Sequence, residues 1–170
     1  IDPLKGQLDW FVEQIIDTLQ SNLERKLHQK ILNGSSRSAR ANKRVSISKL
    51  HDCQHIPGDV LYIVEGDSAE GTLKQITNKK IEACYTLKGK VLNVEAATLD
   101  KIQKNKEIGD LLKALGSVSN RRYKSIKILS DADVDGYHIA VLMLLAIAKF
   151  APDYIKSGNL SVIIPPLYGA

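Results

Sequence analysis

Cysteine is scarce in this chain: Cys53 and Cys84 are the only two among 170 residues. They are too few and too far apart for a metal knuckle or a disulfide framework, so both are expected to be free thiols in a reducing compartment. No signal peptide is present, and the longest apolar stretch, Ile139 to Ala148, is too short to span a bilayer. No internal repeat and no low-complexity tract is visible. There is no P-loop, and none of the six tyrosines sits in a basic winged-helix context. Acids are missing altogether from Arg25 to His51, where Arg25, Lys26, Lys30, Arg37, Arg40, Lys43, Arg44 and Lys49 all fall. The first residues are Ile1-Asp2-Pro3 with no Met, as expected of a segment of a longer protein.

What is present has the size of one good core, or of one domain with an appendage. The net charge of +5 suits a polyanionic partner, although mild basicity also serves ordinary solubility. Leu8, Val12, Ile15, Ile16, Leu19, Leu23, Leu27 and Ile31 recur at helical spacing, which predicts one long amphipathic helix from about Gln7 to Leu32, ended by Asn33-Gly34. Its apolar stripe is expected to pack on a neighbour. Ser35 to Ser48 is a Ser/Arg/Lys/Ala-rich linker, either a solvated basic loop or a segment ordered against phosphate. An α/β body follows. Strands are expected at Val60–Val64, Glu82–Thr86, Ser125–Leu129 and Leu160–Ile164, and helices at Ser68–Gln75, Ala96–Lys104, Ile108–Leu115 and Gly136–Phe150.

The acidic cluster Asp131-Ala132-Asp133-Val134-Asp135-Gly136 comes directly after the apolar run Ser125 to Ser130. Three carboxylates at alternate positions are hard to ionise together without a counter-ion, and a divalent metal with hard oxygen ligands, such as Mg²⁺, is the natural occupant. The spacing also opens a calcium-binding EF-hand loop, but that loop needs a preceding helix and a bidentate Glu at its twelfth position, here Leu142. A haloacid-dehalogenase-type phosphatase also carries strand-D-x-D, yet wants Thr or Val where Asp135 stands. An Asp-rich turn with Gly136 supplying a positive φ is the plainest alternative.

A second acidic motif answers the first. The strand-like run Val60 to Val64 ends at Glu65-Gly66-Asp67-Ser68-Ala69-Glu70-Gly71. Gly66 permits an unusual backbone angle, and Asp67 or Ser68 is placed to cap the helix that follows. In open parallel α/β sheets ligands bind at the carboxyl ends of the strands, so two strands delivering carboxylates to that edge make one composite acidic site. By itself Glu65 reads equally as a helix-entry acid favoured by the macrodipole. Lys88 and Lys90 flank Gly89 in a loop after a strand, as a surface turn or as point charges for phosphate. Arg121 and Arg122 are adjacent on a loop, where such pairs usually stay solvated. His138 falls in the first turn of a helix beside the acids, to meet a phosphate or simply to pack. The other three histidines join no constellation.

Three motifs in order, Glu65-Gly66-Asp67-Ser68-Ala69, Leu87-Lys88-Gly89-Lys90-Val91-Leu92-Asn93-Val94-Glu95, and Asp131-Ala132-Asp133-Val134-Asp135-Gly136 with His138-Ile139, resemble the Toprim domain of type IIA DNA topoisomerases, of the kind in bacterial gyrase B and topoisomerase IV ParE-type subunits. The resemblance runs from about Leu50 to Tyr168. It implies a Rossmann-like parallel sheet flanked by helices, preceded by a long amphipathic helix: residues 1–34 as the end of a transducer region, 35–49 as a basic linker and 50–170 as the Toprim unit. Thr86 stands where the family usually has Pro, and Glu70 and Tyr137 replace small residues.

The resemblance also implies a chemistry, in which a tyrosine attacks a DNA phosphodiester and is displaced on religation. Two divalent ions are the usual device for such phosphoryl transfer. Glu65, Asp131 and Asp133 are then the metal ligands, with Asp135 an auxiliary ligand or a helix cap. Glu65 is also the candidate general acid/base for the 3′-hydroxyl, because a carboxyl near two others has a raised pKa until a metal reverses the sign. Lys88, Lys90 and His138 are the DNA contacts. The expected partners are double-stranded DNA and a tyrosine-bearing A-type subunit or domain, in a dimeric or heterotetrameric parent. ATP would be bound by a domain not found in this sequence. No membrane partner is expected. The setting would be the cytoplasm with its nucleoid, or a phage-infected or organellar compartment. A Toprim-type primase or nuclease, which would not need the L-K-G-K-V-L-N-V-E run, and a non-catalytic binding or assembly module, which would be expected to lose the acids, are the other readings.

Overall fold

The computed structural model describes residues 46–88 and 91–164. The long helix expected at Gln7–Leu32 and nearly all of the basic linker lie outside the described residues, as do Gly89, Lys90 and the last six residues. In chain order the elements are β1 (Leu50–His51), β2 (Gly58–Glu65), α1 (Gly66–Ile76), β3 (Glu82–Leu87), α2 (Leu99–Lys104), α3 (Lys106–Leu115), β4 (Gly116–Ser117), β5 (Asn120–Arg121), β6 (Tyr123–Leu129), α4 (Val134–Phe150), α5 (Pro152–Lys156) and β7 (Leu160–Ile163).

A five-stranded sheet runs β1-β3-β2-β6-β7, and β4 with β5 makes a separate two-stranded hairpin. Strands β3, β2, β6 and β7 are mutually parallel, and only the short edge strand β1 is antiparallel. Parallel strands buried on both faces read as continuous apolar runs, which is why β2 and β3 fall where the sequence predicts strands; β6 and the part-exposed edge strand β7 fall there too. One face of the sheet, with Leu61, Ile63, Ala83, Tyr85, Ile126 and Ile128, packs with aliphatic residues of α3 and α4 into the main core. Among the described residues the other face carries a small cluster, in which Leu73 of α1 meets Val64 and Cys84. Both cysteines are buried free thiols, as expected. Among the described residues no helix is long and apolar enough to cross a membrane.

Helix boundaries differ from the expectation where side chains cap backbone groups. Asn93 Oδ1 accepts from the amides of Glu95 (3.1 Å) and Ala96 (3.3 Å), holding that stretch as a turn. So α2 begins at Leu99 rather than Ala96. Asn105 Oδ1 accepts from Ile108 N at 3.0 Å and starts α3 at Lys106.

Candidate metal and DNA site at the carboxyl edge of the sheet

The strand order fixes where a site can form. From β2 the chain steps outward to β3 and then returns to the other side of β2 as β6. The topological switch point therefore lies between the carboxyl ends of β2 and β6, the place where open α/β sheets bind ligands. Glu65 is the last residue of β2, and Val64 pairs with Leu129, the last residue of β6, with Asp131 following just beyond. The two acidic motifs are thus brought to one edge by strand register.

Their charges act on one another. Glu65 is half-buried, and its pKa is pushed up, first by burial and then by repulsion from Asp131, Asp133 and Asp135. The three aspartates are all exposed. Helix α1 begins at Gly66, earlier than expected, so neither Asp67 nor Ser68 is its cap. Glu65 itself holds the N-cap position but makes no side-chain cap hydrogen bond, which leaves its carboxylate uncommitted to the helix. Gly66 has φ +77, the left-handed conformation that glycine reaches without steric cost.

The cap of α4 is Asp133, whose Oδ1 accepts from Gly136 N at 2.7 Å, and Asp135 lies in the first helical turn. The capping role considered for Asp135 therefore belongs to Asp133. Gly136 does not supply a positive φ either; it gives room, because a Cβ there would lie 2.3 Å from the Asp131 carbonyl oxygen. This division of labour is testable by thermal melting without metal. Asn caps as well as Asp does, so Asp133→Asn should stay within a few tenths of a kcal/mol of wild type, whereas Asp133→Ala should lose about 1 kcal/mol. A large loss in the Asn variant would place the importance of Asp133 in its charge rather than its cap.

Among the described residues no three His, Cys, Asp or Glu side chains converge closely enough to hold a metal ion as they stand. The chemistry of the donor set nevertheless fits one. All four groups are carboxylates, three are exposed, and their mutual repulsion is relieved by a hard divalent cation such as Mg²⁺. Ser130 Oγ, buried directly before Asp131, adds an unsatisfied polar atom at the same edge.

Of the basic candidates, Lys88 is exposed beside this edge, with Nζ 3.4 Å from Asp67 Oδ1. Lys90 lies outside the described residues. His138 is exposed, but because α4 begins at Val134 and not Gly136 it opens the second turn of the helix and not the first. Arg121 and Arg122 are not solvated. Arg121 Nε donates to Asp153 Oδ2 at 2.8 Å and Nη1 to Gly116 O at 2.7 Å, while Arg122 is buried against Asp52. Both serve the fold. Two of the departures from the family pattern meet: Thr86 Oγ1 donates to Glu70 Oε2 at 2.6 Å in a buried contact. Neither residue carries a local signal of that pairing, since the two come together only when α1 packs on β3.

Residues 60–163 match the Toprim domain family. Over 166 residues the chain is 38% identical to the B-type subunit of DNA topoisomerase 4 from Caulobacter vibrioides, covering 92% of this chain and 23% of that protein. It is 42% identical over 130 residues to the B-type subunit of DNA gyrase from Streptococcus pyogenes, covering 71% of this chain and 20% of that protein. A crystal structure of the DNA-binding, cleavage and re-ligation domain of Plasmodium falciparum topoisomerase II superposes with a TM-score of 0.67 at 31% identity, over 74% of this chain and 20% of that one. The chain thus spans under a quarter of the length of these relatives. With the strand order, the two acidic strand ends and the matched span in agreement, the chain belongs to the Toprim domain family.

Proposed function

We propose that this chain is the metal-binding Toprim part of an ATP-dependent type IIA DNA topoisomerase, and that it supports Mg²⁺-dependent cleavage and religation of double-stranded DNA. In this reading residues 50–170 form the Toprim unit, 35–49 a basic linker and 1–34 the end of a transducer region. An A-type subunit or domain supplies the tyrosine, another domain binds ATP, and the parent is a dimer or heterotetramer working on DNA in the cytoplasm. The observation that carries the reading is that Glu65 and the Asp131–Asp135 cluster follow the paired ends of β2 and β6, where burial and then the aspartates raise the Glu65 pKa.

Glu65, Asp131, Asp133 and Asp135 would hold Mg²⁺, two ions in the full set. Bound there, the cations supply positive charge against the 3′-oxygen and a neighbouring phosphate. Glu65 handles the proton. The tyrosine hydroxyl loses its proton to water as its oxygen bonds to phosphorus; the bond to the 3′-oxygen breaks, and that oxygen takes the proton of the Glu65 carboxyl, which is then free to hold a cation as the carboxylate. On religation the 3′-hydroxyl returns a proton to Glu65, and the phenolate released as the phosphotyrosine bond breaks takes one from water. Lys88, Lys90 and His138 hold DNA phosphates beside the cut.

The test is reconstitution with a tyrosine-bearing A-type subunit. The chain alone should neither cut DNA nor hydrolyse ATP. The mixture with Mg²⁺ should cut, and Glu65→Gln should lower that cleavage about a hundredfold or more. Mg²⁺-dependent nicking by the chain alone would replace this reading with a nuclease. Melting gives a second handle. The raised Glu65 pKa stabilises the metal-free fold below the ordinary carboxylate range and loses that effect as pH rises through the raised value. Mg²⁺ stabilisation should therefore grow over that same rise, reaching about 2.7 kcal/mol at a hundredfold excess over Kd. The pH-dependent part should vanish in Glu65→Gln.

Phosphate contacts release counterions, so DNA affinity should fall steeply with salt. Replacing Lys88 by Ala should weaken binding to all sequences alike and reduce the salt slope by about one. An unchanged slope would return Lys88 to its exposed ion pair with Asp67.

A further inference from the structure

Helix α1 is held to the sheet by little apolar surface. Leu73 meets Val64 and Cys84, with Tyr62, Ala69 and Leu129 at the margin, while the large core lies on the other face. Into this thin contact α1 places a carboxylate, Glu70, which is only 9% exposed. Its Oε2 accepts from Thr86 Oγ1 at 2.6 Å. Its Oε1 faces His51 Nε2 at 2.5 Å and also pairs with Lys74. Thr86, fully buried, uses its own amide to donate to Lys49 O at 2.9 Å. One carboxylate therefore ties α1 to β3 and to β1.

A second tie runs beside it. Asp67 precedes Glu70 by three positions, so the two share a face of α1. Lys88 follows Thr86 by two, so the two share a face of the extended chain. Asp67 pairs with Lys88 as Glu70 pairs with Thr86. Glu65, in register with Leu87, sits at the end of this two-rung ladder. Gly66 is not packed at the joint, since a Cβ there would meet no atom within 4 Å.

We propose that Glu70 is a positioning residue for the acidic edge: through Thr86 and His51 it fixes the seat of α1 on β3, and with it the direction in which α1 leaves the Glu65–Gly66 joint and the Asp67–Lys88 pair beside Glu65. This rests on the reading of Glu65 as part of a metal site, and the test separates the two claims. Glu70→Ala removes the tie. Thr86→Val removes the hydroxyl but keeps shape and the backbone amide. Glu70→Gln keeps an acceptor for Thr86 and turns its amide nitrogen toward His51 Nε2, while the partly exposed Lys74 can turn to solvent.

The amide signals of Gly66 and Lys88 are followed by NMR in the metal-free chain, with Phe150 on α4 as the control, and Mn²⁺ affinity is measured by EPR. In Glu70→Ala and Thr86→Val the Gly66 and Lys88 signals should move while Phe150 stays, and Mn²⁺ should bind about tenfold more weakly. Glu70→Gln should restore both readouts toward wild type. Unmoved Gly66 and Lys88 signals in the folded variants overturn the positioning role. A wild-type chain that binds no Mn²⁺ overturns the metal reading, and the amide signals then decide the positioning role without it. Should Glu70→Ala fail to fold, Thr86→Val decides by the same signals.

Discussion

Gly136→Ala is expected to destabilise the chain by about 3 kcal/mol and to lower Tm by roughly 10 °C. The sign is not obvious, because Ala is the better helix former by about 1 kcal/mol in an ordinary helix interior. At this position the backbone decides. A Cβ would sit 2.3 Å from the Asp131 carbonyl oxygen, 2.9 Å from its nitrogen and 3.0 Å from its carbonyl carbon. No flexible side-chain end is available to yield, so either α4 shifts or the backbone that carries Asp131 does. Both moves disturb the acidic edge, and metal affinity should fall together with Tm. Gly66→Ala is the natural comparison. Its φ of +77 strains any L side chain, but no atom lies within 4 Å, so it should cost only about 1–2 kcal/mol. A melting experiment in which Gly136→Ala matches or exceeds wild type would show that the turn at Asp131 yields freely.

The parts of the fold that were legible in the sequence are those where burial imposes a pattern. Val60–Val64 is an apolar, β-branched run and Ser125–Leu129 keeps Ile126, Ile128 and Leu129 because β2 and β6 are inner strands of the sheet. The acidic edge was legible for a related reason: a carboxylate directly after such a run must lie at a strand's carboxyl end. What was not legible depends on contacts distant in sequence. The two-residue strand β1 exists because Leu50 and His51 pair with Tyr85 and Cys84, and two residues show no periodicity. The β4–β5 hairpin is equally short. Asp133 and Asp135 are the same residue type two positions apart, and only the start of α4 assigns the cap to Asp133. Arg122 looked like a solvated loop residue because its partner, Asp52, stands seventy positions away.

That last pair supports the second large effect: Asp52→Ala should cost about 3–5 kcal/mol. Asp52 accepts from Tyr123 OH at 2.7 Å through one oxygen and pairs with Arg122 through the other. The Arg122 and Asp52 side chains are only 7% and 9% exposed. Removing the carboxylate takes the counter-charge from a buried guanidinium and the acceptor from a buried phenol, and neither is replaced by water at no cost. Asp52→Asn keeps an acceptor for Tyr123 and should lose less. The network lies at the start of β2 and β6, where Gly58 pairs with Tyr123, whereas Glu65 ends β2. Along an eight-residue strand that separation is roughly 23 Å. Sites so far apart contribute independently when the element between them holds, and His51, the neighbour of Asp52, keeps its own pairing with Cys84 in β1. Asp52→Ala should therefore lower the denaturant midpoint strongly and leave Mn²⁺ affinity unchanged, provided affinity is measured well below the variant's Tm. A loss under about 1 kcal/mol would mean that the Arg122 charge is already balanced by its other contacts. A fall in Mn²⁺ affinity in the folded variant would mean that the two ends of the sheet are coupled, and that the acidic edge depends on more than its own ladder of contacts.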